Sequence, residues 1–571
     1  MRIRLLRGTT LVVTLARFLA APPVVRAEAP PSLAPELSAR LNQARSALQS
    51  DQAAKARELL RAIVRDAPGT VPALQLLGAA EEALGDPPAA LTAYGKALAT
   101  APGDDYSTQR VRAVCRGGLP LELPAGQRDP LFSVLGEAPL RVRELEVDTG
   151  RVRFPPGDPL TRRAFHTTGI LFAPPAMTRD PSHRKASTLP EDLTFNRVCY
   201  GYALEPAGAT WRLRFRVHYV SEFLAGSAYQ TLAEGTCDLF LRLYWLGQDG
   251  IGVETRFAPD GVVDVWLLPK GEPGGEHSPQ YTEDLFFYGI EVARPGLEWI
   301  REVAHEYGHH VIPPVDGYSG IAEPWATGTQ GERLFLTWLS ELGFGLGDSD
   351  TPFTATAEGY REYLRQQVLS DANFFLNHGP SETLSADQTD NGWRYTQGFL
   401  TYVNGQYGNA ALAETYRGGR KLAPGEFMTG IDLLRAFQEV RNRAAEPIDL
   451  RPGFPIPSLS GDTDAVAGTG TGDESLPLQQ DATLAWWVYL AAGDWELSLV
   501  PTASVEATLA LGLGKPAVYE RSLVLSPPPK EAQWVPLGTL ATGWHVLRVR
   551  GTNVPKPLAL KLIRLRLRPG Q

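Results

Sequence analysis

The spacing of hydrophobic positions changes period several times along the chain. Residues 33–104 are Ala/Leu-rich and apolar at helical spacing. Ala56, Leu60 and Ile63 recur one repeat later as Ala90, Tyr94 and Ala97. The helix ends at Asp66-Ala67-Pro68 and Thr100-Ala101-Pro102 lie 34 residues apart, a period that predicts paired helices in tandem. Residues 105–209 are Pro- and Arg-rich. Alternation over 140–147 and a short apolar run over 169–172 predict isolated strands in a linker or small β subdomain. Strict alternation of Trp211, Leu213, Phe215, Val217 and Tyr219 predicts a strand over 210–219. An apolar face of Phe223, Leu224, Tyr229, Leu232, Leu239 and Leu243 predicts a helix over 221–246. Apolar runs over 261–269 and 284–291 read as buried strands. After Pro295-Gly296, the positions Leu297, Ile300, Val303 and Ala304 return to helical spacing. A second apolar helix opens at Gly331 and runs through Leu339, and further helices are expected over 357–369 and 391–407. Residues 441–480, rich in Pro, Gly, Asp and Ser, read as a flexible linker. From 481 onward, strands at 486–490, 495–499 and 544–549 predict a β-sandwich.

Composition adds three constraints. A chain of 571 residues that is 43% hydrophobic and 21% charged is long enough for several domains with sizeable cores. A net charge of −9, spread along the chain, argues against a nucleic-acid partner. Residues 1–27 carry Arg2, Arg4 and Arg7, then a mostly apolar run, then Val25-Arg26-Ala27. That order predicts a secretory signal, and so a secreted or cell-envelope (periplasmic) protein. Cys115, Cys199 and Cys237 have no metal-ligand spacing; one disulfide with one free thiol, or three buried thiols, both fit.

The chemistry-bearing stretch is His305-Glu306-Tyr307-Gly308-His309. On a helix, His305 and His309 lie one turn apart on one face and can share a Zn²⁺. Glu306, beside the first imidazole, is placed to act as general base. The alternative is a core helix whose histidines are satisfied by hydrogen bonds. A catalytic zinc takes a third protein ligand, and Ile312 and Val315 exclude a third donor at the spacing of one common zinc motif. Three downstream glutamates are candidates, in the order Glu332, Glu323 and Glu341. The alternative for Glu332 is a carboxylate complementing a helix N-terminus. His378 and Tyr395 are candidate donors to an oxyanion.

These residues resemble the gluzincin metallopeptidases over about 219–408. The resemblance rests on the His305–His309 motif, the later helix with Glu332, and the segment 395–408, Tyr395-Thr396-Gln397-Gly398 through Gly408. It implies Zn²⁺ at His305, His309 and Glu332, with Glu306 as base. The 34-residue repeats, with Leu77-Gly78 and Tyr94 at their characteristic places, resemble one and a half to two tetratricopeptide repeats. The expected architecture is α+β and multidomain. It runs from helical repeat hairpins (33–104) through a linker or small β subdomain (105–209) to a thermolysin-like zincin domain with a helical subdomain (210–440). The linker (441–480) and a C-terminal β-sandwich (481–571) follow. The expected activity is hydrolysis of peptide or protein substrates. The repeats would meet a protein partner and the sandwich a glycan or surface. A non-catalytic envelope protein on the same scaffold, binding a protein or a glycan, is the alternative.

Overall fold

The helices and strands of this protein follow from a computed structural model. It describes residues 35–115, 195, 197–204, 210–220, 228–251, 261–277, 284–290, 296–313, 315, 327–346, 355–423, 428–443, 448–450, 477–478, 480–481, 483–501, 507–513, 519–525, 534–556 and 558–568. For 122–124, 141–147 and 167–173 it describes the backbone alone. The expected signal at 1–27, Glu323, the side chain of Cys115 and the glycine-rich run at 467–472 lie outside the described residues. The chain divides into two compact units, one built mainly from 1–145 and 168–226, the other from 227–258 and 264–571.

The first unit opens with five helices: α1 (Pro35–Gln49), α2 (Ala53–Asp66), α3 (Val71–Ala83), α4 (Pro87–Thr100) and α5 (Asp105–Cys115). Each packs on the next. Ala44, Ala56, Leu60, Ile63, Ala73 and Ala80 fill the seams between the first of them. Alanine at these positions lets helices approach closely with no loss of helix propensity. Helix α4 starts where Pro87 follows Asp86, whose side chain accepts a hydrogen bond from Ala89 N. Leu91, Tyr94 and Leu98 of α4 and Val111 of α5 share a core with Tyr200, Tyr202, Trp211 and Leu213. The last four belong to β4 (Arg197–Leu204) and β5 (Thr210–Tyr219), an antiparallel pair. The repeat helices therefore bury their apolar face on a sheet of the same unit. Strands β1 (Glu122–Pro124), β2 (Arg141–Val147) and β3 (Thr167–Ala173) complete that sheet in the order β2-β3-β4-β5, with β1 antiparallel to β5. By its contacts β5 belongs with this unit, although position 210 is where the sequence suggests that the next domain begins.

The second unit begins with α6 (Ala228–Trp245), which runs into a π turn at Leu246–Ile251. Strands β6 (Val263–Leu267) and β8 (Leu285–Tyr288) pair in parallel, and β7 (Gly274–His277) is antiparallel to β8 at the end of the sheet order. Helix α7 (Gly296–Val311) is held between these layers. Trp299 meets Phe287 of β8 at 5.3 Å between ring centroids, and Tyr307 meets Phe240 of α6 at 5.8 Å. Helix α8 (Thr327–Leu342) packs along α7. Then come α9 (Ala357–Tyr363), α10 (Leu369–His378), α11 (Glu382–Ser385), α12 (Asp390–Leu422) and α13 (Gly430–Arg443). Helix α12 is kinked at Gly408, whose φ of 88° suits glycine. The helix expected over 391–407 ends at this break, and a second helical run follows it to Leu422.

Strands β9 (Ile448–Leu450), β10 (Pro477–Leu478), β12 (Gly493–Pro501), β15 (Val535–Leu540) and β17 (Leu558–Leu567) form one sheet. The facing sheet holds β11 (Thr483–Leu490), β13 (Ala507–Leu513), β14 (Tyr519–Leu525) and β16 (Gly543–Asn553). Strands β9 and β10 fall within the stretch expected to be a linker, and both pair with β17. Trp486 and Trp495 are fully buried between the sheets. Trp487 and Trp544 turn to the helices instead. Trp487 Nε1 donates to Leu376 O at 3.1 Å, and Trp544 stacks on Phe437 of α13 at 5.5 Å. The sandwich is thus an integral part of this unit. Among the described residues, no helix is long and apolar enough to cross a membrane. Cys199 and Cys237 are buried free thiols.

Candidate metal centre

The site starts from an unusually close helix contact. Gly308 of α7 and Gly331 of α8 meet backbone to backbone: a Cβ on Gly331 would stand 2.4 Å from Gly308 Cα. A Cβ on Gly308 would stand 2.7 Å from Thr327 O. No side chain fits at either place, so these two glycines set the depth at which α8 lies on α7. As a result the first turn of α8 runs across His305 and His309.

Both imidazoles turn the same atom to that turn. A Cβ at Gly328 would lie 2.5 Å from His305 Nε2 and 2.7 Å from His309 Nε2. The two rings are 5.3 Å apart and nearly perpendicular. Their other nitrogens are held by α8. His309 Nδ1 is 2.7 Å from Thr327 Oγ1, and His305 Nδ1 is 3.4 Å from Glu332 Oε2. Glu332 Oε1 accepts from Arg301 Nε at 2.8 Å, and the Arg301 guanidinium lies over the Tyr363 ring. Burial opposes the charge on Glu332, but hydrogen bonds and charges from His305 and Arg301 outweigh it and hold its carboxyl down to about 2.

Glu306, one residue on from His305, is buried and faces β7. A Cβ at Gly275 would stand 2.6 Å from Glu306 Cγ and 2.7 Å from Oε1. Across β8, the Tyr288 hydroxyl donates to Glu276 Oε2 at 2.8 Å. Burial, then Glu276, and also the nearby charge of Glu306, push this phenol up. His277 at the end of β7 stacks on His309 at 5.4 Å and leans on the buried His310 at 4.4 Å.

The structure therefore brings His305, Glu306 and His309 together and places Glu332 differently from the expectation. The carboxylate lies on the Nδ1 side of His305, where it sets the tautomer of an imidazole whose Nε2 is the outward donor. It does not share the point that both Nε2 atoms face. Glu341 lies about 13 Å further along α8 at the rise of an α-helix. Tyr395 and His378 have other partners. The Tyr395 hydroxyl donates to Gly379 O at 2.9 Å and accepts from Ser381 N at 2.7 Å, and His378 Nδ1 pairs with Phe374 O at 2.8 Å. Burial pushes the Tyr395 phenol up to about 12.

His305 and His309 fit Zn²⁺ as two imidazole donors with fixed outer partners. Among the described residues, no group of three His, Cys, Asp or Glu side chains is gathered for a metal ion. Motif spacing and periodicity do not single out His277, Tyr288, Gly275 or Gly328. The first three lie in short strands or turns whose local pattern carries no signal for a site. Gly328 carries no signal because α8 starts at Thr327, one turn before the Gly331 start that hydrophobicity suggests.

No protein-family model matches this chain, and no curated protein matches it. Among solved structures it is similar to a family GH115 4-O-methyl-alpha-glucuronidase with specificity for decorated arabinogalactans, at 11% identity and a TM-score of 0.13. The match covers 48% of this chain and 32% of that one, about a third of the enzyme's length. A likeness at that level carries no argument about fold or activity.

Proposed function

We propose that the chain is an exported, zinc-dependent metallopeptidase on a gluzincin-like scaffold. The observation that supports this reading is the turning of His305 Nε2 and His309 Nε2 to one point, on the helix that also carries the buried Glu306. Zn²⁺ bound there would supply Lewis acidity toward a peptide carbonyl. Glu332, an acceptor, favours the His305 tautomer whose Nε2 carries the lone pair, and Thr327 Oγ1 is placed to accept from His309 Nδ1 in the same tautomer. Glu306 is placed to take a proton from water and return it to the leaving amine. Strand β7 ends the sheet order beside Glu306, so an extended substrate can pair along its edge. The repeats would engage a protein partner and the sandwich a glycan or surface.

A second reading, a protein- or glycan-binding envelope protein that does not hydrolyse, is favoured by one observation. The α8 position facing both Nε2 atoms is Gly328, which has no side-chain donor. Purified protein should cleave members of a peptide library in the presence of zinc, and Glu306→Gln should lower turnover by about 100-fold or more, the contribution typical of a positioned acid–base group. Peptide binding without cleavage in either protein would select the second reading.

A further inference from the structure

The second unit also holds a pocket of about 500 Å³ where α10 meets the start of α12, and none of the metal-centre residues lines it. That volume is in the range of small-molecule sites and exceeds what a bare ion fills. Ser370, Asn373 and Asn377 stand on its α10 wall, at the three- and four-residue spacing of one helix face. Arg394 of α12 and Arg365, in the turn that leads into α10, stand beside them. The polar part of this wall offers donors, and no carboxylate lines it. The Oδ1 atoms of Asn373 and Asn377 are buried and have no hydrogen-bond partner among the described residues. What each amide shows to the pocket is therefore its Nδ2 donor. Ser370 Oγ accepts from Arg394 Nη2 at 2.6 Å, which leaves the hydroxyl hydrogen to donate. Glu362 takes Arg365 through Nε at 3.0 Å and Nη2 at 2.7 Å, so Nη1 stays open.

The local charge selects the kind of anion. Asp371 lies 2.6 Å from Arg333 Nε and 3.6 Å from Arg394 Nε, and Glu362 pairs with Arg365. Three guanidinium groups thus meet two carboxylates, and one positive charge remains. Arg394, at the longer distance from Asp371, is the less neutralised of its pair, and it lines the pocket. One negative charge balances this group, so a monoanion fits it better than a dianion. The guanidinium lies over the Phe374 ring at 4.9 Å, which holds its planar fork, and that fork matches a carboxylate. Leu369 and Phe374 supply the apolar part of the wall. We infer that this pocket binds a small carboxylic acid with an apolar body. Arg394 and the two asparagine amides take the carboxylate, and the body lies against Leu369 and Phe374. Nothing in this depends on the metal centre.

The test is calorimetric titration of the full chain with phenylacetate, its neutral amide and inorganic phosphate. Phenylacetate should bind saturably, and phenylacetamide about tenfold more weakly or worse, because it lacks the charge that strengthens each hydrogen bond. Arg394→Gln should weaken phenylacetate by about tenfold or more. Arg394 also holds Ser370 and Asp371, so a second variant separates binding from folding. The Asn377 amide has no partner to lose, so Asn377→Leu should keep the wild-type melting temperature and still weaken phenylacetate by about threefold or more. His309→Ala should bind phenylacetate as the wild type does. N-acetylphenylalanine distinguishes the sources of such a carboxylate: tighter binding than phenylacetate assigns the end of a peptide chain, and equal or weaker binding a free acid. Binding lost in His309→Ala would move the acid to the metal centre and overturn the inference while leaving the metal reading intact. Phosphate bound more tightly than phenylacetate would overturn it too. So would phenylacetate that fails to bind the wild type, or that binds both pocket variants as tightly.

Discussion

Gly78 in α3 and Gly331 in α8 each sit where a side chain would collide with the helix packed against it. At Gly78 a Cβ would stand 2.4 Å from the Tyr94 ring. That ring is fully buried, and its polar tip is closed within the repeat. The Tyr94 hydroxyl donates to Glu82 Oε1 at 2.5 Å, and Arg110 donates to the same carboxylate. At Gly331 the neighbour is the backbone of Gly308, and the first turn of the same helix lies across His305 and His309. Thr327 and Glu332 each take one imidazole from the Nδ1 side and leave both Nε2 atoms toward Gly328. A packing glycine thus completes a core in one helix pair, and in the other brings two backbones close enough to set the start of one helix against two imidazoles of the other.

A side chain at Gly331 should disturb the molecule most. Gly331→Val sets a side chain against backbone that cannot yield, and a loss of about 3 kcal/mol is expected, at the upper end for overpacking. Denaturant unfolding measures it, and a loss under about 1 kcal/mol would mean that the two helices do not approach this closely. Gly78→Ala meets a ring rather than backbone, so the expected loss is smaller, about 2 kcal/mol. The same unfolding experiment should rank the two variants in that order.

Glu332→Gln sharpens the chemical half of the comparison. An orienting carboxylate predicts a folded protein whose zinc affinity falls by about tenfold. Complete loss of zinc would make Glu332 a direct ligand. Tyr94→Phe probes the closed tip of the repeat and should cost about 1 kcal/mol at neutral pH. Burial first, then Glu82, pushes the Tyr94 phenol above its ordinary value of 10. Its contribution is whole below pH 10 and is lost as pH rises beyond that. The wild type should therefore lose more stability than Tyr94→Phe between neutral pH and pH 11, and parallel curves would show that the phenol is not held neutral by the fold.

Much of this organisation is written locally. Alternation from Trp211 to Tyr219 marks β5 because the period of two needs no partner to be read. The ends of α2 and α4 follow from Asp66 and Thr100, each with proline two residues on. The spacing of His305 and His309 places them on one face of α7. The start of α8 is different. Thr327-Gly328-Thr329-Gln330-Gly331 holds weak helix formers, and packing on α7 holds it helical against that propensity. The break in α12 is also local: Gly408, at φ 88° and ψ 174°, ends the helical run where the sequence ends it, and a second run follows. Trp487 and Trp544 look alike in sequence to Trp486 and Trp495, and only the docking of helices on the sandwich separates the two pairs.

By itself the sequence determined that two imidazoles and a carboxylate stand on one turn of one helix, because that relation involves four consecutive peptide units. It also determined the repeat period and the alternation of the clearest strands. Only the tertiary structure decided which residue of α8 those imidazoles face. That choice depends on where the second helix begins and how it is rotated, and both are set by the contact of Gly308 with Gly331. A shift of one helical turn exchanges Glu332 for Gly328 before the two Nε2 atoms, and no local pattern in the chain records it.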